Sequence, residues 1–145
     1  LKQSLSVCNV RFSTLFYGDH KKDGLSNLAY QAITKKEIVI YNNAEAKRDF
    51  IPINIATQYL FKLVNTTVMP KILNIVSGKS IEFNFFVKKI IEFDNTVKIN
   101  NMITVTPDVL HTFSHEGIRN LGEINFDIED SFKRYILKLY ESFNI

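Results

Sequence analysis

The sequence predicts an α/β protein, one that reads as α+β when the chain is taken in isolation. Two observations carry that prediction. Short apolar runs of strand character alternate along the chain with segments whose apolar residues recur at helical spacing, and polar or glycine-bearing turns separate them. The chain has 145 residues, 46% of them hydrophobic and 23% charged, which is one domain's worth of ordinary globular composition. The whole of 1–145 is therefore read as a single unit, without internal repeats or low-complexity segments.

Residues 5–12 read as a strand through Leu5, Val7, Val10 and Phe12. Thr14 and the tract 18–24 follow as a loop. Leu25, Leu28, Ala29, Ala32 and Ile33 lie on one helical face, with Asp23 as the N-cap and Lys35-Lys36 at the end that favours cations. Residues 38–41 form a short strand. Residues 48–53 form another, which Pro52 restricts to a sheet edge or a strand end.

Asn54 is the expected cap of a second helix, with Ile55, Ala56, Tyr59, Leu60, Leu63 and Val64 inward. Residues 71–76 read as a strand closed by Ser77-Gly78. Ser80 is the expected cap of a third helix, whose stripe is Phe83, Phe86, Val87, Ile90 and Ile91. Residues 97–105 read as a strand and 110–121 as a weaker helix, in which Gly117 costs about 1 kcal/mol relative to alanine. Asp127 caps the last helix, with Ile128, Phe132, Tyr135, Ile136, Leu139 and Phe143 inward.

Composition excludes several classes of function. The net charge of +3 comes from lysine pairs (Lys21-Lys22, Lys35-Lys36, Lys88-Lys89) interleaved with acids, which reads as solvated faces and not as a nucleic-acid surface. No apolar run approaches the roughly 20 residues of a membrane span. Cys8 is the single cysteine, so no internal disulfide can form, and no signal-peptide pattern opens the chain. Both features point to a reducing, cytoplasmic setting. The five glycines, at 18, 24, 78, 117 and 122, form neither a dinucleotide fingerprint nor a phosphate-binding loop. His111 and His115 have a metal-compatible spacing but no third ligand, so no metal site is expected. Tyr17 and Lys21 match Y-x-x-x-K in a glycine-bearing loop that cannot hold the pair in the geometry of a helix face, so no catalytic residue is assigned.

Four further motifs stand in register. Arg11-Phe12-Ser13-Thr14-Leu15-Phe16-Tyr17-Gly18 is similar to a strand-to-loop signature R-x-x-N-V-Y-G, with Thr14 in place of the asparagine. A strand ending in Tyr41, a polar turn and then Arg48-Asp49-Phe50 is similar to an aromatic–turn–R-D-F segment. Asn74-Ile75-Val76-Ser77-Gly78-Lys79-Ser80 is similar to N-V-G-S-G-x-S, and Leu121-Gly122 to a late L-G. On these residues, from about 5 to 140, the chain resembles the extended short-chain dehydrogenase/reductase family, the NAD-dependent sugar-nucleotide epimerases and dehydratases. The resemblance implies the C-terminal part of an extended Rossmann-type fold: the last strands of the nucleotide-binding sheet plus the small substrate domain. The glycine-rich turn and the Tyr-Lys pair would lie before Leu1.

The resemblance also implies site residues. Arg48 would grip the diphosphate of a nucleotide sugar, Tyr41 would stack near the base, and Thr14, Phe16 and Tyr17 would line the sugar. A plain ion pair of Arg48 with Asp49 or Glu45, and a core position for Tyr41, are the competing readings. NAD or NADP would serve the intact protein, with none bound by this chain alone. Partners would be a nucleotide sugar and a possible second copy, and the chain by itself would turn nothing over. The alternative is a non-catalytic, degenerate binding or assembly module of the same fold.

Overall fold

The computed structural model describes residues 6–16, 23–105 and 113–143. The sheet structure starts with β1 (Asn9–Phe12) and β2 (Thr14–Phe16), one extended run interrupted at Ser13. β1 pairs in parallel with β5 (Ile72–Ile75), and β2 pairs in parallel with β4 (Lys47–Pro52), so the run changes partner at the break. β4 also pairs antiparallel with β6 (Ser80–Glu82), in the order β2-β4-β6. β3 (Glu37–Tyr41) and β7 (Lys98–Met102) form a separate parallel pair. The helices are α1 (Gly24–Lys35), α2 (Ile53–Val64), α3 (Phe83–Phe93), α4 (Glu116–Asn120) and α5 (Ile128–Ser142).

Strand β4 divides the interior. Asp49, Phe50, Ile51 and Pro52 are all buried, as expected of a strand covered on both faces. Phe50 joins a core of Phe16, Leu25, Ala29, Ile38, Phe86, Ile90, Phe132 and Tyr135, contributed by α1, β2, β3, α3 and α5. Ile51 faces the other way, toward Ile55, Tyr59, Leu63, Leu73, Ile75 and Ile118 from α2, β5 and α4. Period-2 alternation along one strand thus feeds two cores. In the first, Phe86 packs edge-on against Phe50 and Phe132, with ring centroids 4.7 and 4.8 Å away.

Several sequence expectations meet the structure directly. Asp23 caps α1 by accepting from the Ser26 amide at 2.9 Å, and Asp127 caps α5 by accepting from the Asp130 amide at 2.9 Å. Pro52 is the last residue of β4, opposite Phe16 at the end of the ladder with β2, as a proline at a strand end requires. Other expectations are corrected. Helix α2 begins at Ile53 behind Pro52, not behind an Asn54 cap, because the fixed proline φ already suits a helix entry. Ser80 caps nothing: it lies in β6, and α3 starts at Phe83, because the antiparallel ladder with β4 claims residues 80–82. Val64 is 69% exposed, since α2 turns that edge outward. β7 is shorter than the expected 97–105 and exposed along its whole length. The described part of the weak helix is α4, and residues 110–112 lie outside the described residues, as do Leu5 and the 17–22 tract.

One polar knot ties the helix ends together. Asp94 accepts from Lys36 Nζ at 2.7 Å and from the Tyr140 hydroxyl at 2.9 Å, and from the Thr96 amide and hydroxyl at 3.1 and 2.6 Å. The Lys36 ammonium, seconded by the Thr96 hydroxyl, holds the Asp94 carboxyl far below its ordinary range. Burial, then Asp94, pushes the Tyr140 phenol up. A carboxyl whose folded-state pKa is depressed adds stability above its unfolded value, about 4, and that contribution is lost as pH falls below it. The melting temperature is therefore expected to drop more steeply from pH 5 to pH 2 in the natural chain than in Asp94→Asn. Parallel slopes for the two chains in a thermal-melt series would refute this.

Candidate functional site

A cleft of about 290 Å³ opens where α1, β3, β4 and α3 meet. It is lined by Gly24, Asn27 and Leu28 of α1, Val39, Ile40 and Tyr41 of β3, Ala44, Ala46 and Arg48, and Phe83 of α3. The sequence puts them there by simple means. Ile38 and Ile40 point into the core, so alternation turns Val39 and Tyr41 outward, and Tyr41 is 54% exposed at the strand end. Arg48 sits one residue before the buried stretch of β4, with its stem half-buried and one guanidinium nitrogen donating to the Lys47 carbonyl at 2.8 Å. The Phe83 ring lies 2.9 Å from where a Cβ on residue 24 would stand, so a larger residue there would push the ring away from that wall. Among the described residues lining the cleft, Arg48 carries the single charge and Tyr41 the single exposed ring. A small site whose described lining has one cation, one exposed aromatic ring and no carboxylate suits an anionic ligand bearing a flat group.

The turn between the ring and the cation is unusual. Asn42, Asn43 and Ala44 have φ of 47°, 58° and 55°, consecutive left-handed residues without a glycine. Each such L-residue costs about 1–2 kcal/mol relative to its right-handed form. Hydrogen bonds to the end of β7 and beyond hold the turn. The Asn43 amide donates to Asn101 Oδ1 at 3.0 Å, and Asn101 Nδ2 donates to Asn43 Oδ1 at 2.6 Å. The Thr104 amide donates to Asn42 Oδ1 at 2.8 Å, and Asn42 Nδ2 donates to Thr104 Oγ1 at 3.0 Å.

Asp49, next to Arg48, has a different task. It is 2% exposed and accepts from the amides of Ser77 and Gly78 at 2.8 and 2.7 Å. Both carboxylate oxygens serve the turn after β5, so the alternative of an Arg48–Asp49 ion pair is not what the structure forms. Gly78 needs its glycine: φ is +76°, and the His115 ring lies 3.0 Å from a would-be Cβ. A second cavity of about 280 Å³ adjoins this turn, bounded by Lys79, His115, Arg119, Glu123 and Phe126 among others, with Arg119 paired to Glu123 at 3.3 Å. The Asn74–Ser80 motif supplies part of its lining, through Val76, Ser77, Gly78 and Lys79, although no site was expected there from the sequence.

The remaining expected residues scatter. Thr14 and Phe16 sit on β2 and do not line the cleft. Phe16 is 1% exposed, with its ring against Phe86, Phe132 and Tyr135. The signal for its burial was the aromatic stripe of α5, which needs a partner. Tyr17 and Lys21 lie outside the described residues, as does His111. Groups of three or more metal-ligating side chains are absent among the described residues, and no described helix is long and apolar enough to cross a membrane.

With β4 covered on both faces and the parallel pairs β1–β5 and β2–β4, the described residues form a mixed α/β arrangement, and its likeness to solved structures is to a Rossmann-type fold. The sequence matches no protein-family model and no curated protein sequence; the fold likeness comes from solved structures. The chain is similar to the NAD-dependent NDP-hexosamine 5,6-dehydratase TunA of tunicamycin biosynthesis, with a TM-score of 0.77, 22% identity, and coverage of 92% of this chain and 45% of that one. It is similar to the Helicobacter pylori ADP-L-glycero-D-manno-heptose-6-epimerase (TM-score 0.78, 18% identity, 90% of this chain and 43% of that one). A UDP-N-acetylglucosamine 4-epimerase from Methanobrevibacter ruminantium, solved with UDP-N-acetylmuramic acid, gives a TM-score of 0.77 at 13% identity, over 94% of this chain and 46% of that one. The chain thus spans less than half the length of each of these three structures.

Proposed function

We propose that this chain is the substrate-binding part of an NAD(P)-dependent sugar-nucleotide epimerase, dehydratase or reductase. Arg48 holds the diphosphate and Tyr41 stacks beside the base. The observation that carries this reading is the convergence of Arg48 and Tyr41 on one cleft whose described lining holds no other charge. A planar guanidinium can bind two phosphate oxygens at once, and its half-buried stem limits its freedom before ligand arrives. The solved proteins of like fold act on UDP-, ADP- and NDP-linked sugars, which fits a diphosphate-bearing ligand.

The described residues do not fit the dinucleotide cofactor. The turn after β5 is the one glycine-bearing turn that follows a parallel strand among them, and its two amides are already committed to Asp49. The cofactor therefore belongs, in this reading, to a nucleotide-binding half that pairs with this one. The parallel pair β1–β5 supports such a half. Two parallel strands alone cannot sustain a sheet, and Phe12 and Ile72 are left 39% and 51% exposed on it.

Titration calorimetry of the chain with UDP-, dTDP- and ADP-linked sugars tests the reading. Arg48→Ala is expected to weaken binding by about 1.5–3 kcal/mol, roughly 10- to 150-fold. Absence of any nucleotide-sugar binding by the unsubstituted chain would sink the reading and leave an assembly module of the same fold. The chain alone is expected to yield no epimerised or dehydrated sugar when incubated with NAD and these substrates.

A further inference from the structure

The loop that joins the ring to the cation carries a second inference, which rests on the reading of the cleft just given. Tyr41 and Arg48 belong to strands that do not pair with each other: β3 pairs with β7, and β4 with β2 and β6. Their separation is therefore set by the connection 42–46, and its first three residues are wound left-handed against their own preference. Ala44 is 6% exposed and turns inward as part of the cleft wall, while the side chains of Asn42 and Asn43 turn outward. The four hydrogen bonds to Asn101 and Thr104 all lie on that exposed side. Exposed bonds of this kind add little to global stability, and β3 stays in register with β7 over five residue pairs without them. Their effect falls instead on the turn, whose alternative is to unwind and let the cleft wall and Tyr41 move.

We propose that Asn101 and Thr104 are positioning residues: through Asn43 and Asn42 they keep the left-handed turn wound, and so hold Tyr41 and Arg48 at the spacing a nucleoside diphosphate requires. The ligand then meets a formed site, and its affinity is not spent on ordering the loop. Strain kept at a binding site by surrounding contacts is the physical signature of such pre-organisation.

The test uses the 145-residue chain, with UDP-glucose, dTDP-glucose and ADP-glucose as probes in calorimetry and a thermal melt without ligand. Asn101→Ala and Thr104→Val are expected to weaken the nucleotide sugar that binds by about 10-fold or more. Thr104→Ser keeps the accepting hydroxyl and is expected to stay within about 2-fold of the natural chain. The ligand-free melting temperature of all three is expected to move by no more than about 3 °C. Adding Ala44→Gly to Asn101→Ala is expected to restore part of the affinity, because glycine holds a positive φ without the clasp. A natural chain that binds, with clasp variants that bind equally tightly, overturns this proposal and leaves the cleft reading intact. So does a loss of affinity that neither serine at 104 nor glycine at 44 restores. A natural chain that binds none of the three probes overturns the cleft reading, and this proposal with it.

Discussion

Phe86→Ala will destabilise the chain by about 3–5 kcal/mol. Phe86 is 0% exposed and sits at the centre of the larger core, with ring centroids of Phe50, Phe85 and Phe132 within 5.1 Å and that of Phe16 at 6.4 Å. These rings come from β2, β4, α3 and α5, so no single element can shift to fill the space. The loss combines the transfer of a large aromatic to water with a cavity whose walls cannot collapse, and it removes edge-to-face pairs worth about 0.5–1.5 kcal/mol each. Urea denaturation of the two chains measures it. A loss below about 1.5 kcal/mol would mean that the four elements are not held together through this ring.

Asp49→Ala is expected to cost about 2–4 kcal/mol, through a different mechanism. The side chain is nearly fully buried and is the acceptor for two amides of the turn after β5. Hydrogen bonds to a charged group are worth about 1.5–3 kcal/mol each, and the partly exposed turn recovers some of that from water. The damage should spread along β4. Asp49 opposes Ser80 in the β4–β6 ladder, and Arg48, the next residue, opposes Ile81. Nucleotide-sugar affinity is thus expected to fall together with stability. In Arg48→Ala, affinity is expected to fall with the melting temperature nearly unchanged. Comparing urea midpoints with calorimetric affinities for both variants checks the contrast. Equal stability of Asp49→Ala and the natural chain would show that the turn after β5 does not depend on this carboxylate.

Much of the fold was legible because long helices write their buried faces at regular spacing. The stripes of α1, α3 and α5 and the caps at Asp23 and Asp127 are where the periodicity and the side-chain chemistry place them. Short elements were less legible. β2 is three residues long and exists as a strand through its ladder with β4, a partner more than thirty positions away. Ser80 and Asn54 are good capping residues, yet a sheet ladder takes the first and a proline sets the helix entry before the second. β7 shows the converse. Its apolar residues Ile99 and Met102 are 47% and 48% exposed, and among the described strands it pairs with β3 only.

The candidate site divides along the same line. Arg48 and Tyr41 could be singled out from the chain because R-D-F and a strand-ending aromatic are local patterns, each tied to a residue type with definite chemistry. That the two share a cleft, that Phe16 faces inward and that Asp49 serves a distant turn are consequences of which strands pair and which helices cover them. The left-handed turn is the clearest case: Asn-Asn-Ala contains no glycine to announce it, and it is held by side chains some sixty residues away. Short-range order follows from the spacing of apolar residues and the few side chains that cap or break an element. Partner choice, burial of a given ring and the winding of that turn depend on contacts between distant segments, and those exist only once the chain has packed.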